Sequence, residues 1–147
     1  MDVSRNNDLT KIMWLPDQQE ILFRMKTEES LPLVSERYKQ IGAFIDLDDW
    51  RHLYAQAYDT WLNKDDNMIY DINWDVNRIV IAALAKANES LNQRIFFYWF
   101  DVDRTDNEKF NWEFCPISKK KLLKLEPDFP NINSLVSPDY PLVFPLA

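Results

Sequence analysis

Residues 95–100 are the segment that most restricts how this chain can fold. They read Ile-Phe-Phe-Tyr-Trp-Phe, six consecutive apolar residues of which five are aromatic. A strand with one wet face alternates apolar and polar residues, whereas an uninterrupted apolar strand is typical of a sheet that is covered on both faces. Aromatic residues also favour strands. The segment therefore predicts a central strand that is buried on both sides.

A return strand is predicted to follow this one. Phe110, Trp112 and Phe114 alternate with Asn111, Glu113 and Cys115, which is the pattern of a strand with one polar face. Residues 103–108 between the two strands are polar and predict a loop. We therefore expect an aromatic hairpin over about residues 94–115 at the centre of an antiparallel sheet.

Two helices are predicted before this hairpin. The first covers about residues 48–62, with Asp46 or Asp48 as its N-cap. Its apolar residues are spaced 0, 3, 4, 7, 8 and 11 apart and are Trp50, Leu53, Tyr54, Ala57, Tyr58 and Trp61. Residues 76–87 repeat this spacing and predict a second helix, although the apolar run at residues 79–84 leaves a buried strand open.

The two ends of the chain give weaker patterns. Residues 1–9 are polar and are expected to be flexible. Residues 10–15 and 20–26 flank a turn-like Pro16-Asp17 and predict a β-hairpin, with a helix from Asp17 as the alternative. Gly42 is interpreted as a bulge or a close backbone approach. Ser118 is interpreted as the cap of a short helix at residues 119–125.

The C-terminal 21 residues, 127–147, contain five of the eight prolines and predict an irregular tail packed on the domain. A chain of 147 residues is long enough for one domain and too short for two ordinary ones. The expected fold is therefore a single α+β domain. It consists of an antiparallel sheet with a central aromatic hairpin, packed against one or two helices and followed by the Pro-rich tail.

The scarcity of glycine excludes several classes of enzyme. Gly42 is the single glycine, against an average usage of roughly 7%. Phosphate loops and dinucleotide-binding turns need several glycines, because the backbone must approach the ligand closely. One cysteine and one histidine likewise exclude disulfide frameworks, zinc fingers and sites with two histidine ligands. We expect no cofactor, no metal ion and no enzymatic activity.

Acidic residues are concentrated in one part of the chain, residues 46–75, which we call the acidic segment. It holds eight aspartates against Arg51 and Lys64, a net charge of −6, whereas the rest of the chain has 16 acids and 15 bases. Some of these aspartates are expected to cap helices and turns. A concentrated negative field also steers a basic partner, and it disfavours direct binding of nucleic acid.

Aromatic residues lie among these acids, and aromatic anchors inside a charged rim are typical of tight protein interfaces. The alternative is that the rings belong to the core. The predicted partner-binding residues are Asp59, Trp61, Asp65, Asp66, Tyr70, Asp71, Trp74 and Asp75.

Two other arrangements of residues suggest chemistry. Asp101 and Asp103 share one face of a strand and are candidates to hold a divalent ion for hydrolysis, although a solvated loop is favoured. Cys115 and His52 are candidates for a nucleophile and its base, but a buried thiol and a surface histidine are favoured. Lys119, Lys120 and Lys121 are interpreted as a solvated basic run.

The chain has no apolar run long enough to span a bilayer, and its polar N-terminus has no apolar signal region. The sequence therefore predicts a cytoplasmic protein with no membrane contact.

The pattern Trp50-x3-Tyr54-x6-Trp61-Leu62, followed by the aromatic residues 95–100 and 110–114, resembles the small acidic immunity proteins of bacterial toxin systems, particularly those of contact-dependent growth inhibition. The resemblance covers residues 44–116. It implies a stoichiometric inhibitor that binds a cytoplasmic toxin domain, often a basic nuclease, and blocks its active site or substrate groove. It also implies a strand at residues 79–87.

This resemblance and the charge distribution lead to the same expectation, an acidic protein that neutralises a basic toxin domain. Three alternatives stay open. The first is a phage-encoded DNA mimic that occupies a defence nuclease, and the second is a metal-dependent hydrolase using Asp101 and Asp103. The third is a subunit of a larger assembly.

Overall fold

The computed structural model describes residues 9–64, 68–100, 113–124 and 134–145. Its helices are α1 (Glu36–Gly42), α2 (Leu47–Lys64) and α3 (Asp75–Leu91), with a 3-10 turn at Met68–Tyr70 between α2 and α3. Its strands are β1 (Thr10–Ile12), β2 (Leu22–Arg24), β3 (Phe96–Trp99), β4 (Leu123–Lys124), β5 (Ser134–Val136) and β6 (Leu142–Pro145).

These strands form one mixed sheet in the order β2-β1-β3-β6-β5-β4. Strand β3 pairs in parallel with β1 on one side and with β6 on the other, while the outer pairs are antiparallel. The helices lie between β2 and β3 in the chain, and α3 packs directly on β3. The predicted α+β class is confirmed, but the sheet is mixed instead of antiparallel.

The predicted central strand is confirmed by the burial of both of its faces. Tyr98 faces the helices, since its ring meets Trp50 of α2 edge-on at 6.0 Å between centroids. Phe97 faces the opposite way and is fully buried, with the guanidinium of Arg94 5.5 Å from its ring centroid. Lys11 lies on this second face as the register partner of Phe97, and its Nζ is 4.1 Å from the centroid of Trp99.

The predicted aromatic hairpin at residues 94–115 is wrong, because β1 and β6 already occupy both edges of β3. A strand has only two hydrogen-bonding edges, so no third strand can pair with it. Phe114 instead forms an antiparallel bridge with Lys121. Phe110 and Trp112 lie outside the described residues.

Both predicted helices are confirmed. Asp46 is the cap of α2, since its Oδ1 accepts a hydrogen bond from the backbone N–H of Asp49 at 3.0 Å. Residues 75–91 are helical, so the alternative of a strand here, which the resemblance also implied, is wrong. The two helices are joined in the core, where the indole N–H of Trp50 donates to the carbonyl oxygen of Val76 at 3.0 Å.

The N-terminal hairpin is confirmed as β1 and β2, and the helix alternative from Asp17 is wrong. Residue 9 is predicted to be flexible, but Leu9 is buried and its carbonyl accepts a hydrogen bond from the backbone N–H of Met25. Residues 1–8 lie outside the described part.

Gly42 is the last residue of α1, and nothing lies within 4 Å of a Cβ built on it, so it marks neither a bulge nor a close approach.

The predicted irregular tail is wrong where the structure describes it, because β5 and β6 lie within residues 134–145. Pro138 and Pro141 lie between the two strands, where no ladder hydrogen bond needs their N–H, and Pro145 is the last residue of β6. The predicted helix after Ser118 is also wrong. Ser118 ends a turn, and β4 follows at Leu123–Lys124.

Candidate partner-binding surface

The start of α2 accounts for three of the aspartates in the acidic segment. Asp46 caps the helix, and Asp48 and Asp49 lie in its first turn, where negative charge is favourable next to the helix dipole. Asp48 also forms an ion pair with Arg51 at 3.1 Å. All three side chains are exposed. Their placement agrees with the structural role that the sequence suggested for some of these residues.

The start of α3 accounts for two more aspartates of the acidic segment. Oδ1 of Asp71 accepts a hydrogen bond from the backbone N–H of Asn73 at 2.9 Å, and its carbonyl accepts from the side chain of Asn77 at 2.8 Å. Asp71 therefore shapes the turn before α3. Asp75 is exposed in the first turn of that helix.

Asp59 differs from these five, because it lies in the second half of α2, away from the start of either helix. It is exposed. Of the predicted site residues, Asp65 and Asp66 lie outside the described part of the chain.

The three predicted aromatic anchors are half-buried. Trp61 meets Tyr70 at a ring-centroid distance of 5.8 Å in a T-shaped contact, and Trp74 lies 5.9 Å from Tyr54. Trp61 also contacts Tyr58 at 5.5 Å. The rings thus join α2 to residues 68–74 and expose only part of their surface. Their contact with a partner stays a prediction.

A groove runs beside Asp59, between α2 and the loop at residues 14–19 that joins β1 to β2. Its volume is about 790 Å³. Trp14 on the loop and Tyr58 on the helix contact each other at 4.8 Å between ring centroids. Trp14 also contacts Tyr54 at 5.1 Å, so its ring is held against α2.

The charged groups that line this groove come from both walls. Asp17 lies on the loop, and Arg51, His52 and Asp59 lie on the helix. Arg51 is paired with Asp48, and Nδ1 of His52 is 2.8 Å from the carbonyl oxygen of Asp48. The positive charge of Arg51 is therefore offset by Asp48.

A second, smaller cleft of about 320 Å³ lies where Arg94 reaches the loop between β5 and β6. The guanidinium donates to the carbonyl oxygens of Ser137, Pro138 and Tyr140 at 2.8 to 3.1 Å. Burial lowers the pKa of Arg94, and Asp139 opposes that shift. These hydrogen bonds hold the loop between β5 and β6 in place and occupy the donors of the Arg94 guanidinium.

Asp139 also lines this cleft. Burial raises its pKa, but hydrogen bonds from Ser118, Ser137 and Lys120 outweigh that effect, so the pKa lies below the ordinary value. Lys120 approaches the carboxylate to 3.3 Å. One residue of the predicted basic run at 119–121 therefore ties its turn to the loop between β5 and β6.

The residues of the catalytic alternatives are placed as follows. Cys115 is fully buried, whereas the His52 side chain is 59% exposed on α2. The surface histidine and buried thiol favoured from the sequence are confirmed. Asp101 and Asp103 lie outside the described residues. Within the described ranges, no group of three or more His, Cys, Asp or Glu side chains is placed to hold a metal ion.

Sequence reasoning missed the groove. The sequence predicts the turn at Pro16-Asp17 and places Tyr58 in the apolar stripe of α2. No local signal, however, indicates that the loop lies against the helix face that carries Asp59.

In the part of the chain that the structure describes, none of the helices has the length and apolar character needed to cross a membrane. Comparisons with protein-family models, curated proteins and solved structures gave no match.

Proposed function

We propose that this protein is a stoichiometric inhibitor of the immunity type, which binds a basic toxin domain through the exposed face of α2 and the start of α3. We call this surface the acidic face and define it by Asp48, Asp49, Asp59, Asp71 and Asp75. The observation that carries the proposal is that all six described aspartates of the acidic segment are exposed. None of these six carboxylates is buried in the core.

The charge distribution supports a basic partner. The acidic segment has a net charge of −6 out of −7 for the whole chain. Fields of one sign on a surface raise association rates and suppress wrong partners. A nuclease needs a positive groove to bind phosphate, so a negative surface is complementary to it. Such a toxin acts on cytoplasmic nucleic acid, and we place the inhibitor in the same compartment.

The aromatic residues support a protein partner. Trp61, Tyr70 and Trp74 are partly exposed beside the acids, and their ring contacts hold them in fixed positions. Fixed rings lose little conformational entropy on binding, which is why aromatic residues dominate the energetics of interfaces.

The positions of the aspartates favour this proposal over the DNA mimic. A mimic needs acids at regular spacing along its surface, in place of phosphates. Here Asp46, Asp48 and Asp49 cluster at the start of one helix, and Asp71 and Asp75 at the start of another.

The first test is genomic: a toxin domain encoded immediately upstream of the gene would support the proposal and would supply the partner for the binding experiment. Stopped-flow association would be measured at about 50 mM and about 500 mM salt, where the Debye length differs severalfold. The variant carries D49N, D59N and D75N, because Asp71 has a structural role. The matched control carries E29Q, E36Q and E89Q, which remove the same charge from exposed positions outside the acidic segment.

We expect the aspartate variant to associate about tenfold more slowly at low salt, and the control to stay within about twofold of the natural chain. The difference is expected to shrink at high salt. Absence of binding, a salt-independent rate, or equal effects of the two variants would contradict the proposal.

A further inference from the structure

We propose that the outer end of the sheet binds a membrane surface rich in anionic lipids, through Phe114, Lys119, Lys121, Leu123 and Lys124. We call these five residues the basic patch. The inference goes beyond the proposed function and does not rest on it, because none of these residues belongs to the acidic face. It revises the expectation of no membrane contact, which rested on the lack of a spanning segment, since a peripheral contact needs no such segment.

The apolar part of the basic patch lies on the face of the sheet that points away from the helices. Tyr98 faces the helices, so the next residue of β3, Trp99, faces the other side. We call this other side the second face of the sheet. The strand register continues it outward through Trp99, Val143, Val136 and Leu123.

The second face is apolar, and it becomes exposed at its outer end. Val143 and Val136 are buried, whereas Leu123 is 49% exposed. Phe114 is 39% exposed and forms an antiparallel bridge with Lys121, two residues before Leu123, so both apolar side chains lie on this face. Exposed apolar side chains with a charged surround are typical of surfaces that contact a membrane or a partner.

The positive charge of the basic patch is not neutralised within the described residues. Residues 113–124 contain four lysines and a single acid. Lys120 is offset by its ion pair with Asp139, and for that reason we leave it out of the patch. Lys121 and Lys124 are exposed, and neither forms an ion pair with another described residue. A net positive charge therefore stands next to the exposed apolar side chains.

The types of residue favour a lipid surface over an acidic polypeptide. All basic residues between positions 113 and 124 are lysines. Carboxylates of a polypeptide are recognised most specifically by the planar fork of arginine, whereas lysine acts as a point charge on a flexible stem. Lysine stems also lie along apolar surface while their ammonium groups reach outward. Lysines around Phe114 and Leu123 therefore suit phosphate headgroups above an acyl layer.

The acidic face does not prevent this contact, because it lies on the opposite side of the sheet. Helices α2 and α3 carry the acidic face and pack against the side that holds Tyr98. Packed layers of secondary structure are about 10 Å apart, which exceeds the Debye length of about 8 Å at physiological ionic strength. An anionic membrane attracts the basic patch and repels the acidic face, so both forces direct the acidic face away from the membrane.

The experiment measures flotation of the full chain with two kinds of vesicle, phosphatidylcholine alone and phosphatidylcholine with about 30% phosphatidylglycerol. Each is tested at about 50 mM and about 500 mM salt. We expect the chain to bind the anionic vesicles at least tenfold more tightly than the neutral ones at low salt, and to lose most of this binding at high salt. Equal binding to both kinds of vesicle, or binding to neither, would overturn the inference.

The variant K121Q/K124Q is expected to weaken binding to the anionic vesicles at least tenfold, because it removes two charges from the contact. The control K39Q/K86Q removes the same charge from exposed positions on α1 and α3 and should change binding less than twofold. Equal effects of the two variants would show that net charge, and not the basic patch, controls binding.

Leu123→Ser tests the apolar part of the contact, with Leu33→Ser as its control. Both leucines are 49% exposed, but Leu33 lies in the loop before α1. We expect the change at position 123 to weaken binding severalfold and the change at position 33 to leave it unaltered. Thermal melts verify that the variants fold. Equal effects of the two changes would contradict the assigned surface.

An acidic polypeptide is the other occupant that the charge of the basic patch admits, and poly-L-glutamate is its probe. The ¹⁵N-labelled chain is titrated with this probe while the backbone signals of Lys121 and Leu123 are followed. Saturable shifts at these residues in a chain that does not bind anionic vesicles would mean that the patch binds acidic polypeptides, and the lipid assignment would fail.

Discussion

Buried polar side chains satisfy the backbone at the junctions between elements. Asn88 on α3 accepts hydrogen bonds from the N–H groups of Ile95 and Phe96 and donates to the carbonyl of Phe96. Asn77 donates to the carbonyls of Ile69 and Asp71. A buried backbone group without a partner costs about 1–3 kcal/mol, so these amides stabilise the junctions between elements. Both are structural residues.

The hydroxyl of Tyr98 gives the clearest pH dependence at this scale. It donates to Oδ1 of Asn77 at 2.6 Å, and burial, together with Tyr54, raises the pKa of Tyr98 well above its ordinary value. Below a pH of about 10 both the folded and the unfolded chain hold this proton, and the contribution is fully present. Above that pH the unfolded tyrosine ionises first, so stability is lost as the pH rises through the folded pKa.

We therefore expect Tyr98→Phe to destabilise the fold by about 1–2 kcal/mol at pH 7. The difference from the natural chain should shrink above a pH of about 10, because phenylalanine does not ionise. Urea denaturation at pH 7 and at about pH 11 measures both effects. A difference that stays constant over this range would show that the tyrosine does not control the loss at high pH.

At the scale of elements, the second half of the sheet depends on Arg94. Strand β6 pairs with β3, and the loop before β6 is held by the three hydrogen bonds from the Arg94 guanidinium. The Arg94 side chain also covers the ring of Phe97. One residue at the start of the central strand therefore fixes the position of a C-terminal segment that is rich in proline.

Arg94→Met is expected to lower the free energy of unfolding by about 3 kcal/mol, because three carbonyl groups lose a charged donor. Arg94→Lys should recover only part of this loss, since an ammonium cannot reproduce the planar fork. Amide hydrogen exchange at Leu142 and Val143 should quicken in both variants. Arg78→Met removes an exposed arginine from α3 and serves as the control, with an expected change within about 0.5 kcal/mol. Equal effects at positions 78 and 94 would contradict the assigned role.

At the scale of the whole molecule, the uneven charge has a consequence for stability as well as for binding. The exposed aspartates at the starts of α2 and α3 and in the second half of α2 carry the same sign. Like charges held together in the folded state repel one another, and the unfolded chain can separate them. Binding of a basic partner and screening by salt relieve the same repulsion.

We expect the melting temperature of the free protein to rise by a few degrees between about 20 mM and about 200 mM sodium chloride, where screening becomes effective. The variant D49N/D59N/D75N should show a smaller rise than the control E29Q/E36Q/E89Q. Differential scanning calorimetry at pH 7 measures both. A melting temperature that does not depend on salt would show that repulsion among these aspartates does not destabilise the folded protein.

The sequence by itself determined the local structure of the chain and the location of its charge. Helices α2 and α3 follow from a spacing within single segments, and the burial of β3 from an uninterrupted apolar run. The sequence did not reveal the neighbours of β3, because parallel pairing with β1 and β6 joins segments that are far apart in the chain. Only the tertiary structure placed Asp17 and Trp14 opposite Asp59, since that contact depends on how a loop lies against a helix, which no local pattern encodes.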